Sequence, residues 1–116
     1  MHEYSLVKAL LKRIDAEARS HGASSVHRVV VRIGPLAGVE HDLFATAFDV
    51  CREGTLCGGA DLVISTEGVE WRCEACGAGI PPGSVLTCPS CDWPARLVGG
   101  DALILERVEL EVPDHV

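Results

Sequence analysis

The stretch WRCEACGAGIPPGSVLTCPSCDWPA, residues 71–95, decides how the chain is organised. It places Cys73 and Cys76, then Cys88 and Cys91, in two Cys-x2-Cys turns separated by a short Gly/Pro-rich loop. Each turn points two thiolates at one centre, and the second turn supplies the other half of a tetrahedron. Four sulfurs close the site and leave no position for water, which marks it as structural rather than hydrolytic. Zinc is the expected ion, and iron in a rubredoxin-like arrangement is its chemical competitor. Gly77, directly after the first knuckle, and Pro89, inside the second, are residues that tight turns require.

The segments on either side of the knuckles belong together. From Tyr4, apolar residues Leu6, Val7, Leu10, Leu11, Ile14 and Ala18 recur at three- and four-residue steps, which predicts an amphipathic helix stopped at Gly22. VHRVVVRIG is β-branched and predicts a strand ending at Gly34-Pro35. Leu43, Phe44, Ala47, Phe48 and Cys51 return to helical spacing, so a second helix is expected from His41 to Cys51, ended by Arg52-Glu53-Gly54. ADLVISTEGVEWRC reads as one strand running into the first knuckle, and ALILERVELEV as a closing strand. The fold class is therefore α+β, a small sheet covered by two helices with an inserted zinc-knuckle, zinc-ribbon-like module. The division expected is 1–69 for the first part of the α+β domain, 70–98 for the module and 99–116 for the closing strand.

Composition bounds the function. The chain has 116 residues, six cysteines and a formal net charge of −7. Cysteines at metal-ligand spacing suit a compartment that keeps thiols reduced, so the expected location is the cytoplasm. The acidic balance argues against nucleic acid, whose binding relies on Lys and Arg neutralising phosphates. No apolar run approaches the length of a membrane span. Neither a nucleophile paired with a base nor a phosphate-cradling G-x-x-x-x-G-K-[ST] loop occurs, so the chain is not expected to be an enzyme.

The N-terminus, Met1-His2-Glu3, poses a separate question. The α-amine of Met1, the imidazole of His2 and the backbone nitrogen between them form fused chelate rings suited to square-planar Ni(II) or Cu(II). Glu3 is able to add an oxygen or tune the site. In the alternative, Glu3 favours the helix N-terminus through the macrodipole while His2 frays in solvent. Spacing alone does not decide between the two. Cys51 reads as a small hydrophobe on the face of the second helix, and Cys57 as a turn residue, both without a metal or redox role. His21, His27, His41 and His115 show no ligand-like spacing with one another and read as solvated or locally hydrogen-bonded.

The chain resembles the hydrogenase nickel-insertion accessory proteins of the HypA/HybF family over essentially its whole length. The resemblance rests on the Met-His-Glu start, RIG-x-L-x-GVE at residues 32–40, Glu53-Gly54-Thr55, the four knuckle cysteines and the closing GDALILERVELE. It implies that His2 is a nickel ligand supported by Glu3 and the Met1 amine, making 1–69 the nickel-binding part. It also implies that Cys73, Cys76, Cys88 and Cys91 hold a structural Zn(II). The implied role is delivery of Ni(II) to the large subunit of [NiFe] hydrogenase together with a nickel-handling GTPase. Some members of the family serve urease maturation too. Asp92 stands where the family commonly has glycine, which predicts a differently shaped second turn, and His41 stands where a proline is frequent. An acidic zinc-knuckle interaction adaptor without nickel transfer is the competing reading of the residues.

Overall fold

The computed structural model describes residues 2–66, 68–81 and 86–113. Its elements in chain order are α1 (His2–Ser20), β1 (Ser25–Ile33), α2 (His41–Cys51), β2 (Asp61–Thr66), β3 (Glu70–Cys73), β4 (Ala95–Gly99) and β5 (Leu103–Glu111). This is the expected α+β arrangement. β1 lies at the centre of a three-stranded sheet in the order β2-β1-β5, and β3 pairs with β4 in a separate two-stranded sheet.

The helical stripe of α1 buries Val7, Leu10, Leu11, Ile14 and Ala18. Its end follows from Gly22, which adopts φ 71°. With that residue left-handed, the Ala23 amide reaches back to the Ala18 carbonyl and the Gly22 amide to that of Arg19, satisfying carbonyls the helix would otherwise leave unpaired. In α2, Phe44, Ala47 and Phe48 form the buried face. β1 runs parallel to β2 and antiparallel to β5. A parallel pair requires a crossover, and the chain supplies it through α2.

Simple alternation does not account for the burial of β1. Val26 is buried, and so are Val29, Val31 and Ile33, which lie on the opposite parity. A register shift between Val26 and Arg28 resolves this. His27 is the extra residue, and a one-residue bulge flips every later side chain to the other face. A second shift, between Val30 and Val31, leaves Glu106 as the extra residue on β5. The two bulges keep Leu103, Leu105, Val108 and Leu110 of β5 packed on the same core as β1 and the helices.

The stretch expected as one strand, ADLVISTEGVEWRC, is two. β2 pairs with β1, whereas β3 pairs with β4, and Gly68 and Val69 between them belong to neither strand. The switch of pairing partner ends one ladder and begins the next. β4 was not among the expected elements, because ARLVG is only five residues long and its partner strand β3 lies across both knuckles in sequence. The connection into β5 is close: the Gly34 amide donates to the Ala102 carbonyl and the Leu36 amide to that of Gly100, 2.9 and 2.7 Å away. A Cβ on Gly34 would collide with the Gly100 backbone, so only glycine permits this approach.

Candidate metal centres

The two knuckles are built alike. In the first, the Cys73 amide donates to the Ala78 carbonyl and the Gly77 amide to that of Cys73. In the second, the Cys88 amide donates to the Trp93 carbonyl and the Asp92 amide to that of Cys88. Gly77 sits at φ 74° and Asp92 at φ 56°. Asp92 therefore keeps the left-handed backbone of a glycine-type knuckle, contrary to the expectation of a differently shaped turn. Aspartate tolerates that region because its short polar side chain bonds locally.

The turns bring all four sulfurs within 4.8 Å of one another. Cys73 and Cys91 Sγ are 3.2 Å apart, Cys76 and Cys88 3.7 Å, and Cys76 and Cys91 3.9 Å. Metal–sulfur bonds of ~2.3 Å in a tetrahedron set sulfurs ~3.8 Å apart, so the cluster has the dimensions of a closed four-thiolate site. Cys73 and Cys88 are buried while Cys76 and Cys91 are exposed, which leaves the ion a path in from one side.

Electrostatics within the cluster are divided. The Cys76 amide holds the Cys73 thiol down at about 6, against burial and aided by the Cys91 thiol and the Ala75 amide. At Cys91 the Trp93 amide pulls the same way, but Cys73, burial, Cys88 and Cys76 outweigh it and push the thiol up to about 12. Four like charges at these separations oppose one another's ionisation. A bound dication removes that conflict and displaces the remaining protons. The sulfurs, their spacing and their number fit zinc.

Elsewhere the donors are sparser. Among the described residues, the cysteine cluster is the one group of three or more metal-type side chains gathered around a single point. His2 is exposed in the first turn of α1. Met1 and His115 lie outside the described residues. Glu3 does not stand free: its Oε2 accepts from the Glu40 amide at 3.2 Å, and that amide holds the Glu3 carboxyl below its ordinary 4.5. Glu40 in turn caps α2, its own Oε2 accepting from the Leu43 amide at 2.8 Å. The first turn of α1 is thus fastened to the cap of α2. An open hollow of about 560 Å³ beside this cap is lined by Pro35, Glu40, His41, Asp42 and Thr66 among others.

Glu40 was not singled out as a site residue. The available signal is its place directly before a helical stripe, where a carboxylate suits the unpaired amides of a helix start. Of the other histidines, His27 lies 2.7 Å from Glu111 and His21 3.3 Å from Glu17, both locally hydrogen-bonded as expected. Cys51 is partly buried against the core. Cys57 is fully buried there although it occupies a turn. Burial, with the Asp15 carboxylate adding to it, pushes the Cys57 thiol up to about 11, which keeps it protonated and unreactive.

Comparison with known proteins agrees with these features. Residues 1–110 match the family model described as hydrogenase/urease nickel incorporation, metallochaperone, hypA. The hydrogenase maturation factor HypA of Wolinella succinogenes is 39% identical, the alignment covering 99% of each chain. That of Aquifex aeolicus is 38% identical over 97% of this chain and 99% of its own. The solution structure of the Ni metallochaperone HypA from Helicobacter pylori superposes with a TM-score of 0.73 at 30% identity, covering 96% of this chain and 98% of that one. A second solution structure of a HypA protein gives 0.83 at 31% identity, with 97% and 98% covered. This chain belongs to the HypA family of hydrogenase and urease nickel-incorporation metallochaperones.

Proposed function

We propose that this protein binds Ni(II) at its N-terminus and hands it to the large subunit of [NiFe] hydrogenase, acting with a nickel-handling GTPase in the cytoplasm. Urease maturation proteins are further partners in this reading, which needs no catalytic turnover by the chain itself. The observation that carries it is the exposed His2, whose neighbour Glu3 ties the first turn of α1 to the α2 cap. The donors would be the Met1 amine, the His2 imidazole and the backbone nitrogen of His2. The last of these is among the first four amides of a helix, which have no intrahelical acceptor, so recruiting it breaks no helical hydrogen bond. Glu3 supports the site by positioning. Few ligands at an exposed terminus permit exchange with an acceptor, as a carrier requires.

In the same reading Cys73, Cys76, Cys88 and Cys91 hold Zn(II) and keep residues 70–98 folded, between the nickel-binding part in 1–69 and the closing strand in 99–116. Zinc here shapes the module and activates no water, since four thiolates complete its coordination.

The test is nickel titration of protein with an untagged N-terminus, beside His2→Ala and a variant extended by a few residues ahead of Met1. Both variants should lose nickel binding while keeping their zinc. Nickel bound as tightly by both as by the parent would overturn the terminal site and leave the zinc-knuckle adaptor. Protons compete with nickel for amine and imidazole, so affinity should fall from pH 8 to pH 6. Equal affinity at the two values would count against those donors.

A further inference from the structure

α1 and α2 flank a surface groove of about 480 Å³ that is lined by none of the four knuckle cysteines and by neither His2 nor Glu3. Its apolar wall comes from Tyr4 and Leu11 on α1 and from Val50 and Cys51 on α2. Its rim carries Lys8 and Lys12, one helical turn apart, and these are the only lysines in the chain. Neither makes an ion pair with a described residue. The groove holds one carboxylate, Asp15, whose Oδ1 is already engaged by the Leu56 amide at 3.1 Å. Val50 is 55% exposed, and Leu43, two turns earlier on α2, is 51% exposed. Large apolar side chains on a helix that otherwise buries Phe44 and Phe48 add nothing to the core from there.

We propose that this groove docks an acidic amphipathic helix of a partner protein, whose apolar residues enter over Leu11, Val50 and Cys51 while its carboxylates meet Lys8 and Lys12. A helix laid in a groove presents apolar anchors at three- and four-residue steps, the repeat of the wall it meets. Charge favours this occupant over others. On a chain of net charge −7, a rim whose two ammonium groups make no ion pair with a described residue is a local positive site, and opposite charge at close range fixes register. A basic segment would be drawn to the acidic remainder of the surface and turned away at this rim, so the rim itself selects an acidic occupant. The proposal does not depend on the nickel reading, and its test contains no nickel.

The probes are two fluorescent synthetic helices of about 20 residues, long enough to hold helical structure. One carries leucines at helical spacing flanked by glutamates, and the other has lysine at every glutamate position. Binding is read by anisotropy and mapped by amide shifts on the zinc-loaded full chain. The acidic helix should bind saturably, with shifts centred on Lys8, Leu11, Val50 and Cys51, and about tenfold or more tightly than its twin. A Lys8→Glu/Lys12→Glu variant should lose about tenfold in affinity for the acidic helix at unchanged melting temperature, since both side chains are exposed. Val50→Glu, from the apolar side, should weaken it as well. Failure of the acidic helix to saturate, equal binding of the twin, indifference to the lysine reversals, or shifts centred on β5 or the knuckles would each overturn the proposal.

Discussion

The helix-and-sheet body and the knuckle module are held together by different means. In the body, Val7, Ile14, Val29, Val31, Ile33, Phe44, Phe48 and their neighbours form one buried cluster between two helices and β1. In the module, the buried residues are Cys73, Ile80 and Cys88, with Trp71 and Ala95 partly buried against them. Burying a large aliphatic side chain contributes ~1.5–3 kcal/mol. Ordering the backbone costs ~1–2 kcal/mol per residue. With Ile80 the sole buried aliphatic among the described residues of the module, apolar burial there falls short of that cost across two knuckles and a hairpin. An ion held by the four cysteines would supply the difference, whereas the body has a large apolar core of its own.

The largest effect that would break this contrast is at the cysteines. Structural zinc contributes ~10–16 kcal/mol in finger-type modules, so Cys73→Ala should abolish metal retention and unfold β3 and β4. Metal analysis with amide exchange would show it, and a variant that retained one equivalent of metal would remove the four-sulfur site. A mutation in the body should do the reverse. Phe44→Ala empties a fully buried position and should cost ~3–5 kcal/mol in chemical denaturation, with metal content unchanged. Loss of metal in that variant would mean that the two regions are not independently supported.

Smaller effects sharpen the picture. Asp92→Gly relieves a left-handed position and should raise the module's stability by a few tenths to about 1 kcal/mol, read as slower metal loss to a chelator. Faster loss would show that the aspartate side chain stabilises its own turn. The smallest effect concerns Glu3. Its folded carboxyl is held below 4.5 chiefly by the Glu40 amide, so the link is complete above pH 4.5 and is lost as pH falls through the lowered value. The Glu40 amide resonance should shift over that acid range in the parent and not in Glu3→Gln. A parent resonance that ignored the titration would show that the bond is absent in solution.

Legibility in sequence followed the range of the interactions. The helices were readable because Leu10, Ile14 and Ala18, or Phe44 and Phe48, repeat at local spacing, and Gly22 announces its own stop. The cysteine cluster was readable because each half lies within one turn. The bulge at His27 was not, since it depends on pairing with Leu110 and Glu109 far along the chain. The same holds for the Glu3–Glu40 and Asp15–Leu56 hydrogen bonds, which close 37- and 41-residue separations. The break between β2 and β3 is set by a change of partner strand, which no local pattern records. His2 is the opposite case: the chelate proposed for it is read from three letters of sequence, and an exposed side chain adds little to that reading.

The most direct test of the central contrast is residue-resolved amide exchange on the metal-loaded chain before and after stripping with a strong chelator. Protection should vanish across β3, β4 and the knuckle amides of Cys73, Gly77, Cys88 and Asp92, while α1, β1 and α2 keep theirs. Protection lost throughout the chain, or retained in β3 and β4 without metal, would contradict it.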